Sequence, residues 1–219
     1  MPFLITTQID NQDIYGRLLF VNERRVLSLL EYKEKSYFSR GLSFIKQLSK
    51  GIYLIGAPEE LLIYNTEYKP DIIGHIQLSG LVDIKDAVIG GNFIAVLSGL
   101  RDSVYIFNED FKQIKAVFNV NKAGLIEFFN ERQTQCQEFP GLSFFYCSEL
   151  NNIWRFNRLS SDGAGNLYIM SEEKQLRFIV DLKNFSIRKE ENVIIPPKVL
   201  PQDLTLLKNE TVTDCIGLI

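Results

Sequence analysis

The sequence predicts an all-β fold: a β-propeller-like ring of four to five antiparallel blades with one partly helical insertion. Three observations lead there. One strand–turn–strand pattern occurs four times along the 219 residues. Each copy closes its middle strand on a short polar residue, Asn22, Asn65, Asn108 or Asp181, at spacings of 43, 43 and 73 residues. The three later copies are each preceded by an inner strand. A repeat of about 43 residues with several strands is of blade size, and radially arranged blades bury faces that one sheet alone would leave wet.

The first copy is short: LLFVN, a turn ERR, then VLSLL. Phe3–Thr7 reads as a strand ahead of it, Asp10–Asp13 as a polar loop, and Gly16–Asn22 and Val26–Leu30 as the strands of an incomplete blade. The second copy spans Arg40–Leu78, with the inner strand Gly41–Leu48, then IYLIG, APEE, LLIYN, TEYK and a strand ending HIQL. The third spans Leu81–Val120. Its inner strand is Asp83–Ile89, followed by Phe93–Leu97, Ser103–Phe107 and the alternating Gln113–Phe118. Polar–apolar alternation marks a half-exposed outer strand. The fourth copy has an inner strand Asn157–Ser161, then LYIMS, LRFIVD and FSI. Asn and Asp suit the strand ends because they tolerate left-handed turns and bond their own backbone.

The wider last spacing implies an insertion, Asn121–Asn152. Within it Ala123–Gln133 (AGLIEFFNERQ) predicts about three helical turns, with Leu125, Ile126, Phe128 and Phe129 on one broad side. The segment reads as a lid at one end of the ring, as aromatics packing it onto the blades, or as a degraded blade. At the other end of the chain, Gln202–Leu207 (QDLTLL) and Thr211–Ile216 read as strands. We expect Leu204–Leu207 and Thr211–Ile216 to pair with the strands around Leu4–Thr7 or Leu18–Val21, because an open sheet edge invites aggregation. Pairing with another copy instead would make the chain an oligomer.

Composition places the whole of 1–219 in one globular domain: 46% of residues are hydrophobic and 23% charged. A net charge of −3 without a basic block leaves no footprint for nucleic acid. No apolar run is long enough to span a bilayer as a helix. The N-terminal stretch lacks the basic start and long apolar run of a signal peptide, so the cytoplasm is the expected compartment. Three cysteines, Cys136, Cys147 and Cys215, fit reduced thiols there. A Cys136–Cys147 bridge is the other reading. No CxxC, Walker A or GxGxxG motif occurs, and no cofactor is expected.

Candidate chemistry is sparse. His75 is the sole histidine and shares the polar side of an outer-strand pattern with Gln77. The better candidates stand at or near inner-strand starts, which a propeller gathers at one end of its axis. They are Arg40, Asp83, Lys85, Arg155, Asn157, Gln202 and Asp203, with Trp154 beside Arg155 as an aromatic platform. Strand alternation points Arg155 away from Trp154 and Phe156, free to grip a carboxylate or phosphate bidentately. The bland alternative is that these groups bond one another and nearby turns.

The segment SSDGAGNLYIMS (160–171) resembles the DG-x-GN-LY-V strings of NHL-type and gluconolactonase-like propellers. LVDIKDAVIGGNFIAVLSGLRDSVYIFN and WRFNRLSSDG are similar to strings in uncharacterised bacterial propellers. Those proteins often carry histidines at inner-strand starts, where this chain has Val82, Arg155 and Gln202. The resemblance spans most of 40–190. It implies a propeller and, for the gluconolactonase-like members, a metal hydrolase with Glu, Asn and Asp ligands. Asn157 and Asp203 are the residues that could answer to these, and no matching glutamate motif stands near the N-terminus.

Two functions follow. The first is a non-catalytic module holding a protein or a small polar ligand at one end of the central channel, through Arg40, Asp83, Lys85, Trp154, Arg155, Asn157 and Asp203. The alternative is a divalent-metal-dependent lactonase-like hydrolase.

Overall fold

A computed structural model describes residues 2–10, 13–22, 25–34, 41–67, 69–77, 83–90, 93–98, 103–108, 114–120, 126–129, 156–162, 164–183, 186–196, 204 and 206–218. The described chain is all β and contains no helix. Its seventeen strands are β1 Phe3–Ile9, β2 Gly16–Asn22, β3 Arg25–Tyr32, β4 Phe44–Ser49, β5 Ile52–Gly56, β6 Glu60–Asn65, β7 Asp71–Gln77, β8 Ile84–Ile89, β9 Phe93–Ser98, β10 Ser103–Asn108, β11 Ile114–Val120, β12 Ile126–Phe129, β13 Arg158–Ser161, β14 Asn166–Ser171, β15 Leu176–Asp181, β16 Ser186–Glu191 and β17 Glu210–Gly217. They form four sheets with the orders β17-β1-β2-β3, β4-β5-β6-β7, β12-β11-β10-β9-β8 and β13-β14-β15-β16. All described pairings are antiparallel.

The four marker residues close equivalent strands. Asn22, Asn65, Asn108 and Asp181 end β2, β6, β10 and β15, each the third strand of its sheet in the orders β17-β1-β2-β3, β4-β5-β6-β7, β8-β9-β10-β11-β12 and β13-β14-β15-β16. The side chains of Asn22, Asn65 and Asp181 cap their turns. Oδ1 of Asn22 accepts the Arg25 N–H at 2.9 Å, that of Asn65 the Glu67 N–H at 2.8 Å, and that of Asp181 the Lys183 N–H at 2.8 Å. Such a bond gives the backbone a turn in place of another rung of ladder.

The first sheet, expected to be incomplete, gains its fourth strand from the C-terminus. β17 pairs with β1 from Phe3↔Gly217 to Ile9↔Glu210, with a register shift between Thr6 and Thr7. Thr211–Ile216 therefore pairs with Leu4–Thr7, as expected. Of the other expected strand, Gln202–Leu207, the described residues Leu204, Leu206 and Leu207 lie outside β structure, and Leu204 and Leu206 pack on Ile5, Leu19 and Val21.

The helical expectation over Ala123–Gln133 is corrected where it can be seen. Ile126–Phe129 is strand β12, paired with β11 from Val117↔Phe129 to Val120↔Ile126. Local helical spacing loses here to ladder bonds with an already formed edge, and Ile and Phe fit a pleated surface. The rest of the 121–152 insertion lies outside the described residues, as do Cys136 and Cys147.

The chain divides into two compact units, Met1–Ile84 with Pro197–Ile219, and Lys85–Pro196. In the first unit, Leu4, Tyr15, Leu18 and Tyr32 from the closing sheet pack against Leu42, Ile45, Tyr53, Ile55, Leu62 and Tyr64 of the next. In the second, Phe93, Ala95, Leu97, Val104 and Ile106 pack against Phe156, Leu159, Leu167, Ile169, Leu176, Phe178 and Val180. Each unit is thus a pair of meanders sharing one apolar layer. Phe156 and Phe178 meet edge to face at 5.7 Å between centroids and 75° between planes, a favoured aromatic geometry.

Candidate functional site

Two buried aspartates, Asp86 and Asp214, join the sheets within each unit in the same way. Asp86 lies in β8 and accepts the N–H of its neighbour Ala87 at 2.9 Å and of Leu159, in β13, at 2.6 Å. Asp214 lies in β17 and accepts the N–H of its neighbour Cys215 at 2.7 Å and of Ile45, in β4, at 3.1 Å. In both units a carboxylate on the terminal strand of one sheet thus ties down the second residue of the terminal strand of the next. A buried carboxylate requires such donors, because leaving water uncompensated is expensive. The sequence held the signal in DAVIG at 86–90 and DCIG at 214–217, two Asp–small–aliphatic strings. Neither was singled out, because they are too short to stand apart from ordinary strand sequence.

A third buried acid, Glu210, holds the closing strand. Its carboxylate accepts Thr7 Oγ1 at 2.6 Å, Arg17 Nε at 2.9 Å and the Leu207 N–H at 2.8 Å, and Arg17 Nη2 completes a bidentate ion pair. Burial pushes this carboxyl up. The bonds from Arg17, Thr7 and Leu207 and the Arg17 charge outweigh it and hold the group below its ordinary value. The fourth buried acid, Glu60, meets His75 Nδ1 at 3.0 Å, so the half-exposed histidine of β7 is tied to its own sheet. Tyr32, in the same unit, has its hydroxyl pushed well above the usual tyrosine range by burial, with smaller contributions from Glu60, Glu34 and Glu59.

The DGAGN string has a structural explanation. Asp162 Oδ1 accepts the N–H groups of Ala164 and Asn166, at 2.8 and 3.1 Å. Its Oδ2 accepts Asn166 Nδ2 at 2.6 Å and the Tyr168 hydroxyl at 3.2 Å. The bond from the Asn166 side chain is the strongest influence on Asp162; burial opposes it, and with the further bonds from the Ala164 and Asn166 N–H groups and the Tyr168 hydroxyl the carboxyl is lowered to about 2. Gly165 sits at φ +107°, where other residues are strained. The motif therefore builds the β13–β14 hairpin.

Of the expected ligand-binding residues, Arg40, Trp154, Arg155 and Asp203 lie outside the described residues, as does Gln202. Asp83 is half-buried with φ 54°, immediately before β8, and Lys85 is half-buried within that strand. Asn157 is exposed just before β13, and its Oδ1 accepts the Glu172 N–H at 3.2 Å, fixing the side chain to the β14–β15 turn. Lys85 and Asn157 come to one junction, since Asp86, next to Lys85, bonds Leu159, two residues beyond Asn157. Of the pair proposed to answer to a metal, Asn157 thus has its oxygen engaged by a backbone donor. Among the described residues, no three His, Cys, Asp or Glu side chains are grouped to hold a metal ion.

No family model matches the chain, and no curated protein matches it. Among solved structures it is similar to Hsv2 of Kluyveromyces lactis, at 13% identity and a TM-score of 0.35, covering 87% of this chain and 64% of that one. It is similar to the WD40 domain of SCAP from fission yeast at 12% identity and a TM-score of 0.36, covering 88% and 43%. It also resembles a putative 6-phosphogluconolactonase from Bacteroides fragilis at 11% identity and a TM-score of 0.40, covering 90% and 68%. The chain thus spans less than two thirds of the Hsv2 and SCAP chains. Likeness at this distance transfers no activity.

Proposed function

We propose that this chain is a non-catalytic binding module whose four meanders are blades of a propeller-like ring, holding a protein or a small polar ligand. The observation that carries the reading is the use of the buried acids. Glu60, Asp86, Glu210 and Asp214, the buried charged residues described, are each bonded by the protein's own backbone, hydroxyl, guanidinium or imidazole groups. They serve as struts within sheets and between neighbouring sheets. A lactonase-like hydrolase would instead direct such oxygens at an ion and a substrate. On this reading Asn157, exposed just before β13, is a binding residue, together with Trp154 and Arg155, which precede the buried Phe156 in sequence.

The test has two arms. The purified chain is screened by thermal shift against Ca2+, Mg2+, Mn2+ and Zn2+, and assayed for lactone hydrolysis with each. We expect neither metal-dependent stabilisation nor turnover, and metal-stimulated hydrolysis would refute the proposal. In the second arm, immobilised protein captures a partner or polar ligand. The Arg155→Ala/Asn157→Ala double variant should weaken capture while keeping its melting temperature. Retained capture with lost stability would make those residues structural and the site wrong.

A further inference from the structure

We propose that Leu204 and Leu206 form a strap that opens independently of the closing strand β17, and that the apolar face beneath it docks an extended protein segment with leucines at alternate positions. β1 and β2 each present two faces. Leu4 and Leu18 enter the apolar layer shared with the β4–β7 sheet, while the next residues, Ile5 and Leu19, point to the other side. On that second face Phe3 stands opposite Val21, and Ile5 opposite Leu19 and Cys215. Its centre is dry, since Ile5 and Leu19 are both 0% exposed. The β13–β16 sheet is the contrast. Its second face carries Arg177, Arg188 and Glu190 in ion pairs and stays wet.

Leu204 and Leu206 pack over the apolar face, and neither belongs to a strand. They grip it side chain on side chain. The backbone is fastened beyond them, where the Leu207 N–H donates to Glu210 Oε2 at 2.8 Å and the Leu207 carbonyl accepts the Glu210 N–H at 3.1 Å. β17, in contrast, is paired with β1 along its length, from Phe3↔Gly217 to Ile9↔Glu210. Lifting the strap gives up two leucine contacts and no ladder bond, so it opens more often than β17 leaves. Segments with few apolar contacts populate the low end of local stability.

The strap also shows what fits the face. Residues two apart lie on one side of an extended chain, and the strap brings Leu204 and Leu206 together onto Ile5, Leu19 and Val21. A partner segment with the same spacing makes the same contacts. The strap is then its tethered competitor, and only molecules with the strap open are competent to bind. Nothing in this surface depends on Arg155 or Asn157, so it stands or falls apart from the binding residues proposed above.

The full-length chain is followed by amide hydrogen exchange. It is also titrated in NMR, up to millimolar concentration, with a synthetic peptide of residues 202–208, QDLTLLK, and with the same peptide carrying serine at both strap leucines. In wild type the Leu207 amide should exchange faster than the β17 amides. In Leu204→Ser/Leu206→Ser the β17 amides should keep their protection. There QDLTLLK should shift the signals of Ile5, Leu19 and Val21 with an apparent affinity about tenfold above wild type, the change expected when about 1.4 kcal/mol of strap contact no longer competes. The serine peptide should shift none of them. Leu207 exchanging only together with β17, or a double variant that does not fold, would make the leucines core and overturn the strap. Equal affinity for the two proteins, or no shift with QDLTLLK in either, would overturn the docking surface.

Discussion

Replacing Glu210 by glutamine should loosen the joint between the two ends of the chain. The side chain is fully buried, with Arg17 12% exposed beside it. Glutamine preserves the shape and one acceptor oxygen, which can keep Thr7 or the Leu207 N–H. It removes the charge and turns an amide donor towards donors, leaving Arg17 without its counter-ion. Breaking one partner of a buried pair typically lowers stability by about 3–5 kcal/mol. With one acceptor retained, we expect about 3 kcal/mol, a large part of the roughly 5–15 kcal/mol that holds an ordinary protein folded. Denaturant titration measures the loss, and hydrogen exchange at the β17 amides localises it. Adding Arg17→Met should recover part of it, since two neutral side chains leave no stranded charge. The pH dependence has a definite sign. The folded carboxyl lies below its ordinary 4.5, so its contribution is complete above that value. As pH falls through the folded value the contribution disappears, and wild type and Glu210→Gln should converge. A loss below about 1 kcal/mol, or strictly additive effects of the two substitutions, would refute the reasoning.

Asp86→Ala and Asp214→Ala should each lower stability by about 1–3 kcal/mol through stranded backbone donors, with faster exchange at the Leu159 and Ile45 amides respectively. Exchange unchanged at those amides would show that the carboxylates do not tie the sheets. Asp162→Ala should open the β13–β14 hairpin, seen as faster exchange at Ala164 and Asn166. In wild type the same hairpin should hold above the ordinary aspartate value of 3.8 and loosen as pH falls through about 2, because the folded carboxyl binds its proton less readily than the unfolded one. Gly16→Ala should lower the melting temperature far more than Gly74→Ala. A Cβ at Gly16 would lie 2.5 Å from the Thr7 carbonyl oxygen and 2.7 Å from the Gly41 Cα, whereas at Gly74 it has room. Equal melting temperatures would contradict that packing.

The meanders were legible because their markers act locally. Asn22, Asn65 and Asp181 each stop a strand with a bond to a backbone N–H two or three residues on, so the information lies within one turn of chain. The inner strands were legible to within a few residues for the same reason, since alternation and flanking turns define them: Asp83–Ile89 was expected and Ile84–Ile89 is found. The pairing of Thr211–Ile216 with Leu4–Thr7 was accessible from the blade that lacked a strand. β12 was not, because Ile126–Phe129 fits a helix by local spacing and becomes a strand through its partner, β11. The Asp86 and Asp214 bonds reach residues 73 and 169 positions away. The short strings DAVIG and DCIG are too little to set such an aspartate apart from ordinary strand sequence.

The closing sheet also sets an order on biosynthesis. Thr6 and its acceptor Asp214 are 208 residues apart, so β1, β2 and β3 leave the ribosome long before β17 exists. At the usual ~5–20 residues per second, about 10–40 seconds pass between them. During that interval β1 has one unsatisfied edge, carrying Leu4, Ile5 and Ile9, which are fully buried once β17 arrives. The nascent chain thus passes through a window in which its first sheet is a template for any extended strand nearby. Slower translation of the middle of the chain would lengthen that window, and holding chaperones would have most to protect at its start.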